Sequence, residues 1–297
     1  MTRILVTGAT GTVGSELVKQ LTSSIPSLPS SSDIKVRGTI HSQNRVEEFT
    51  RNNRNVEVAI MDFNKPQTIV EALNGVDKLF WLTLPRPNVE EGMSSTNLIR
   101  EAKKNGVRQI VKLSVFQFVG SIGRWHRHEE KIIEEFGIPY TFLRAGAFMQ
   151  NFISFFGQTI KSQNAFYLAA GNGKVSFVDV RDIAAVAVKL LTENSLNHES
   201  AAFGVTGEEA LSYSQAAEIL SKATGKKISY IDIPQEKAIE SMKGSGMDDW
   251  LIADLMEFSS IIKAGNASQM TNTIEQFLGR KPTSFERFVR DHINSFN

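Results

Sequence analysis

Arg3-Ile-Leu-Val-Thr-Gly-Ala-Thr-Gly-Thr-Val-Gly14 is the stretch that decides the fold of this chain. It begins with a short β-branched run, which is typical of a buried strand, and continues through three glycines. The apolar residues that follow have helical spacing; they are Val13, Leu17, Val18 and Leu21. The order predicts a strand, a tight turn and a helix whose first N–H groups suit a pyrophosphate.

Each glycine of the turn has a predicted role. Gly8 makes the turn, Gly11 lets the backbone approach a ligand, and Gly14 lets the helix pack closely on the strand. The spacing is GxxGxxG rather than the GxGxxG of typical dehydrogenases. A glycine-rich turn without a ligand is the alternative, but the strand–helix context favours a dinucleotide site.

Composition narrows the class of protein. The 297 residues carry a net charge of +1, so nothing electrostatic favours nucleic acid or an acidic membrane as a partner. No apolar run approaches the ~18 residues of a membrane span, and no signal peptide is expected. The chain has no cysteine, which excludes thiol nucleophiles and cysteine-ligated metals. We therefore expect a cytoplasmic protein without disulfides.

Strands alternate with helices through residue 145. The predicted strands span residues 4–6, 34–40, 56–61, 76–84, 109–113 and 140–143. This alternation predicts an α/β fold, a doubly wound parallel sheet of the Rossmann type with helices on both faces. The regularity then breaks at an aromatic helix predicted over 147–163, and a smaller α/β C-terminal subdomain on the substrate side is expected. The predicted division is 1–145 plus roughly 175–205 for the dinucleotide-binding domain, and 146–174 plus 206–297 for the subdomain.

The end of strand 2 decides between NAD and NADP. Thr39-Ile-His-Ser-Gln-Asn-Arg45 lacks the carboxylate that NAD sites place there for the ribose 2′-OH. His41 and Arg45 suit a 2′-phosphate, so NADP is favoured over NAD. A solvated polar turn is the alternative.

The ends of the next strands supply further candidates. Asp62, followed by Phe63, is expected to accept from the adenine amino group or to serve only as a turn carboxylate. Thr83 and Ser114 follow strands 4 and 5. They are expected to touch the nicotinamide ribose, or only to cap the strand ends.

Three segments resemble the NmrA-like branch of the atypical short-chain dehydrogenases. They are Gly8-Ala-Thr-Gly-Thr-Val-Gly14, Arg124-Trp-His-Arg-His-Glu-Glu130 and Gly137-Ile-Pro-Tyr-Thr-Phe-Leu-Arg-Ala-Gly-Ala-Phe-Met-Gln-Asn151. Residues 171–184 and 205–213 extend the resemblance over nearly the whole chain. Members of this branch include NAD(P)H-dependent quinone reductases, azo and triphenylmethane-dye reductases and fungal iminium reductases. They also include NmrA, a regulator that binds the dinucleotide without turning it over.

The resemblance implies a place for each part of the cofactor. The pyrophosphate is expected on the glycine turn, at Gly8, Thr10, Gly11, Thr12 and Val13. Thr83, Leu84 and His126 are expected to flank the nicotinamide ribose. Ala145 departs from the family, which usually has proline there, and this leaves the loop beside the nicotinamide less constrained.

The usual proton donor of short-chain dehydrogenases is missing, because no tyrosine is followed four residues later by lysine. In one interpretation, implied by the resemblance, His126 supplies the proton or binds the nicotinamide ribose. In the other, the acceptor is so electron-poor that hydride transfer needs little acid catalysis. His126 and His128 point to different sides of a helix, so no metal site is expected.

Several aromatic residues follow strands 5 and 6, over the expected nicotinamide position. Such rings are more often core than pocket, yet a flat substrate suits such walls. The candidates are Phe116, Trp125, Phe148 and Phe152.

The sequence thus predicts an NAD(P)H-dependent reductase. It would transfer hydride to an electron-poor conjugated small molecule, such as a quinone, an iminium or a dye. The alternative is a regulator that senses NADP and acts through a protein partner without turnover.

Overall fold

The computed structural model describes residues 1–25, 34–83, 93–116, 120–193 and 200–297. Its strands are β1 (Thr2–Val6), β2 (Ile34–Ile40), β3 (Val56–Ile60), β4 (Lys78–Trp81), β5 (Gln109–Val115), β6 (Tyr140–Ala145), β7 (Ala165–Leu168), β8 (Lys174–Val175), β9 (Ala201–Val205), β10 (Leu211–Ser212) and β11 (Ser229–Asp232). Its α-helices are α1 (Thr12–Ser24), α2 (Val46–Asn52), α3 (Pro66–Leu73), α4 (Met93–Lys104), α5 (Ser121–Phe136), α6 (Asn151–Ser154), α7 (Gly157–Gln163), α8 (Val180–Thr192), α9 (Tyr213–Thr224), α10 (Gln235–Gly244), α11 (Asp249–Lys263), α12 (Thr273–Leu278) and α13 (Phe285–Asp291).

Seven strands form one sheet in the order β3-β2-β1-β4-β5-β6-β9. The pairs from β3 across to β5 are parallel. The strand order reverses between β1 and β4, which is the switch point where a doubly wound sheet opens a crevice for its ligand. The predicted fold class is confirmed.

The chain divides into two compact units. The first comprises residues 1–115, 124–144 and 183–203, and it carries most of the large sheet. The second comprises residues 116–123, 145–182 and 204–297. The predicted first domain included residues 175–182, which the structure groups with the second unit.

The core of the first unit is built from apolar residues of the predicted strands and of the helices that cover them. Leu5, Leu79 and Trp81 from neighbouring strands are fully buried, and helix α5 adds Ile132 and Ile133 to the same cluster. This helix spans residues 121–136 and packs directly on the sheet. These contacts hold the carboxyl ends of β1 and β4 in fixed register beside the switch point.

In the second unit, the predicted aromatic helix and the predicted position of Phe152 both differ from the structure. The expected helix over 147–163 is two short helices, α6 and α7. Phe152 is 1% exposed, and its ring lies 4.7 to 5.8 Å from those of Phe166, Phe177 and Phe285. A ring so enclosed cannot meet a substrate unless the core opens, so Phe152 is a core residue and not the expected substrate wall.

Within the described residues, no helix combines the length and the apolar character that crossing a bilayer requires.

Candidate functional site

The glycine turn between β1 and α1 has the predicted backbone geometry. Gly8 has φ +62°, a conformation that glycine adopts without strain. A Cβ added to Gly14 would lie 2.1 Å from the Gly8 carbonyl oxygen, so only glycine allows the helix to approach the turn this closely. The turn and packing roles of these two glycines are confirmed.

Among the described residues, no side chain caps the first turn of α1. Gly11 is the N-cap and provides no side-chain acceptor, and no acidic residue lies in the first turn. The helical ladder starts with Ser15 N donating to Gly11 O, so the earlier amides lack an intrahelical acceptor. Val13 is buried and can offer a ligand only its backbone N–H, whereas Thr10 and Thr12 are exposed.

A cleft of about 920 Å³, partly open to solvent, lies in the first unit over the carboxyl ends of β1 to β4. It brings together many of the residues predicted from the separate strand ends. Its lining consists of Gly8, Thr10, Thr39, Ile40, His41, Met61, Asp62, Phe63, Asn64, Leu82, Thr83, Ser95 and Trp125.

One end of the cleft carries His41 and Asp62. The His41 side chain is 57% exposed, and its Nε2 lies 3.8 Å from Asp62 Oδ1. Asp62 Oδ1 also accepts from Asn64 N at 3.0 Å, as a turn carboxylate does. Burial acts to raise the pKa of Asp62, but the Asn64 hydrogen bond and the charges of His41 and Lys65 outweigh it and hold this pKa below its ordinary value. Asp62 therefore closes its own turn and also presents an ionised acceptor to the cleft.

Arg45 lies outside this cleft. Its exposed side chain lines a neighbouring depression with Ala9, Thr10 and Ser15. Thr10 borders both cavities, so His41 and Arg45 belong to adjoining cavities that meet at the glycine turn.

A buried polar network underlies the other end of the cleft. Glu129 is 1% exposed and accepts from Thr83 Oγ1 at 2.8 Å and from Ser95 Oγ at 2.9 Å. Lys112, which is fully buried, places its Nζ 2.6 Å from Glu129 Oε2 and 3.4 Å from His126 Nδ1. The network joins two side chains of the cleft lining to His126, which is 7% exposed and is not itself part of that lining.

His126 is held as a neutral imidazole. Burial, followed by the positive charges of Lys112 and Arg127, lowers its pKa well below the ordinary value. A lysine ammonium can only donate, so His126 Nδ1 accepts and the ring proton resides on Nε2. His126 is therefore a hydrogen-bond donor and not a store of an acidic proton at neutral pH.

This protonation state predicts a pH dependence of stability. As pH falls below about 6.5 the unfolded chain protonates this histidine while the folded chain does not. Stability should then fall by about 1.4 kcal/mol per pH unit until the folded pKa is reached. We expect His126→Gln to lack this slope in urea unfolding between about pH 5 and pH 7. His128→Gln, an exposed neighbour on the same helix, should keep it, and equal slopes in all three proteins would refute the assignment.

Ser114 has a different partner from the predicted ribose. It is 2% exposed, and its Oγ donates to Glu130 Oε1 at 2.6 Å. Arg127 and Arg144 also bind Glu130. Burial acts to raise the pKa of Glu130, but hydrogen bonds from Arg144 and Ser114 and the two positive charges lower it. Ser114 thus ties strand β5 to helix α5 and does not line the cleft, so its predicted contact with the ribose is not supported.

The remaining candidates are divided between the two units. Trp125 lines the cleft of the first unit. Phe116 and Phe148 belong to the second unit, where Phe116 packs against Gly204 and Phe148 forms an isolated bridge with Val178. Leu84 lies outside the described residues. Among the described side chains, no group of three or more histidine, aspartate or glutamate residues is placed to hold a metal ion.

Three residues of the network were not predicted from the sequence: Ser95, Lys112 and Glu129. Lys112 could have been noticed from the sequence, because it is a charged residue within the apolar run of strand β5. Glu129 lies three residues after His126, which is a same-side spacing on a helix. Nothing in the sequence marks Ser95, because its partner is 34 positions away.

Comparison with known proteins identifies the family of this chain and the solved structures that it resembles. The sequence model of the NmrA-like family matches residues 1–289. The chain belongs to the NmrA-like family. It is 34% identical to the NAD(P)H azoreductase of Xenophilus azovorans, over 99% of each chain. Among solved structures it resembles the Citrobacter sp. triphenylmethane reductase, with a TM-score of 0.83 and 23% identity over 98% of this chain and 99% of that one. It equally resembles the NADPH-dependent quinone oxidoreductase of Escherichia coli in complex with NADPH, with the same TM-score, identity and coverage.

Proposed function

We propose that this protein is an NADP(H)-dependent reductase that passes hydride to an electron-poor, conjugated small molecule of the quinone, iminium or dye type. The observation that carries the proposal is the cleft at the switch point of the sheet. It joins the glycine turn to His41 and Asp62 on one side and to Thr83 on the other. A relative that shares a third of its residues over its full length is named for NAD(P)H and azo chemistry.

The residues of the cleft fit a dinucleotide. The unsatisfied first turn of α1 suits the pyrophosphate, with Gly11 leaving room for it; a Cβ there would meet only the Gly8 oxygen, at 3.3 Å. Asp62 and Phe63 would hold the adenine, and Thr83 would hold the nicotinamide ribose. Bound NADPH supplies the hydride.

The chain contributes little acid catalysis in this proposal. None of the four tyrosines belongs to the cleft lining, and His126 is neutral. A ketone needs a proton on its developing alkoxide, whereas a quinone, an iminium or a cationic dye accepts hydride with little assistance. The protein therefore acts mainly by binding and orienting its two reactants.

We expect NADPH to bind more tightly than NADH. His41 and Arg45 are exposed beside the glycine turn, and a charged hydrogen bond to a 2′-phosphate contributes about 1.5–3 kcal/mol. His41→Ala and Arg45→Ala should each weaken NADPH binding about tenfold and leave NADH binding unchanged. Titration calorimetry would measure both, with Arg51→Ala as the control because it removes an exposed charge of the following helix α2, outside the depression. Tighter binding of NADH by the wild type would overturn the preference.

Turnover is tested by following the absorbance of NADPH with a panel of quinones, azo dyes and triphenylmethane dyes. Loss of absorbance only when an acceptor is present supports the reductase. Tight NADPH binding without turnover on any acceptor would favour the alternative, a regulator that senses NADP and acts through a protein partner.

A further inference from the structure

Glu129 is the centre of the polar network beneath the cleft. Its buried carboxylate is bound by Thr83 Oγ1, Ser95 Oγ and Lys112 Nζ, at 2.6 to 2.9 Å. Thr83 and Ser95 also line the cleft, so this one carboxylate controls two hydroxyls that a ligand would meet.

Lys112 fixes the charge of that carboxylate. Its ammonium has three hydrogens, and it has three acceptors in Glu129, the Leu113 carbonyl at 3.2 Å and His126 Nδ1. Its Nζ also lies 4.6 Å from the centroid of the Trp81 ring, which favours a cation. With neither partner solvated, the ion pair holds Glu129 ionised, as an acceptor only.

An ionised carboxylate determines how the hydroxyls are oriented. A hydroxyl has one proton and two lone pairs. Because the protons of Thr83 and Ser95 are directed at Glu129, only lone pairs remain for a group in the cleft. Without the carboxylate, each hydroxyl could rotate and either donate or accept.

We infer that the Glu129–Lys112 pair is a positioning device that presents Thr83 and Ser95 to the cleft as hydrogen-bond acceptors. This end of the cleft therefore selects a ligand part that carries donors. The inference rests on the proposed function, in which the nicotinamide riboside lies beyond β4 and offers ribose hydroxyls and a carboxamide NH₂ as donors. Thr83 and Ser95 would touch the ligand, and Glu129 and Lys112 act through them.

The test compares two probes by titration calorimetry. NADPH contains the nicotinamide riboside, and 2′,5′-ADP contains only the adenosine half. Thr83→Val keeps the shape of the side chain but loses its acceptor, and Thr83→Ser keeps the hydroxyl. The double variant Lys112→Met with Glu129→Gln removes both charges together and leaves no unpaired buried ion.

We expect Thr83→Val and the double variant each to weaken NADPH binding about tenfold, with 2′,5′-ADP binding unchanged. Thr83→Ser, which keeps the acceptor, should restore most of the NADPH affinity that Thr83→Val loses. Circular dichroism and the melting temperature establish that each variant is folded, and Thr83→Val decides the matter if the double variant does not fold.

The outcomes separate two kinds of failure. Equal weakening of both probes would mean that the network only supports the fold, and unchanged NADPH binding would mean that the hydroxyls do not meet the ligand. Either result overturns the inference and leaves the proposed function standing. A wild type that binds neither probe overturns the proposed function, and the inference with it.

Discussion

Gly14→Ala is expected to lower the free energy of unfolding by about 3 kcal/mol or more and to abolish NADPH binding. The new Cβ would lie 2.1 Å from the Gly8 oxygen and 2.7 Å from the Gly8 carbonyl carbon. Both atoms are backbone, so relief requires that helix α1 moves away from the turn. Alanine gains about 1 kcal/mol of helix propensity over glycine, which is too little to offset this overlap. The displaced helix would no longer direct its first amides at the cleft.

Two other glycines separate steric overlap from loss of binding. Gly244→Ala is the control for stability, because Gly244 lies in a helix and, among the described residues, a Cβ added there would meet no atom within 4 Å outside that helix. We expect a neutral or slightly stabilising effect. In Gly11→Ala the Cβ would meet only the Gly8 oxygen at 3.3 Å, so folding should survive while the bulk obstructs the pyrophosphate. Urea unfolding and NADPH titration measure the two effects. A Gly14→Ala protein as stable as Gly244→Ala would refute the packing role.

The parts of the fold that could be predicted are those specified by neighbouring residues. The glycine turn depends on backbone conformations within residues 8–14, so its geometry is readable from the sequence. The same holds for the capping box of α9, in which Ser212 and Gln215 bind each other's backbone N–H groups as their spacing predicts. The cleft residues at strand ends could also be predicted from the sequence, because the carboxyl ends of parallel strands meet at one edge of the sheet.

The rest depends on partners far apart in the chain. Strand β7 pairs with residues 229–232, and nothing in the sequence of β7 itself indicates that pairing. Phe152 and Phe156 of the predicted aromatic helix both pack against Phe166 of strand β7, a contact that the helical spacing does not indicate. The network around Glu129 joins Thr83, Ser95 and Lys112 across separations of 17 to 46 residues, which no local pattern records.

Lys112→Met is expected to lower the free energy of unfolding by about 3–5 kcal/mol. Glu129 would remain in place at 1% exposure with its charge no longer opposed. The hydroxyls of Thr83 and Ser95 would still donate to it, but two neutral hydrogen bonds do not replace the solvation of an ion. Methionine fills the volume of the lysine stem beside Trp81, so the loss reports on the charge rather than on a cavity.

Two comparisons make this loss interpretable. Lys104→Met breaks an exposed pair with Glu101, in which the lysine is 63% exposed, and should stay within about 0.5 kcal/mol of the wild type. Adding Glu129→Gln to Lys112→Met removes the stranded charge while the amide oxygen still accepts from a hydroxyl, so most of the stability should return. Urea unfolding of the wild type, Lys112→Met, Glu129→Gln and the double variant gives the coupling energy between the two buried residues. If the double variant is no more stable than Lys112→Met, the penalty does not come from the unpaired carboxylate, and the ion pair is not what holds Glu129 ionised beneath the cleft.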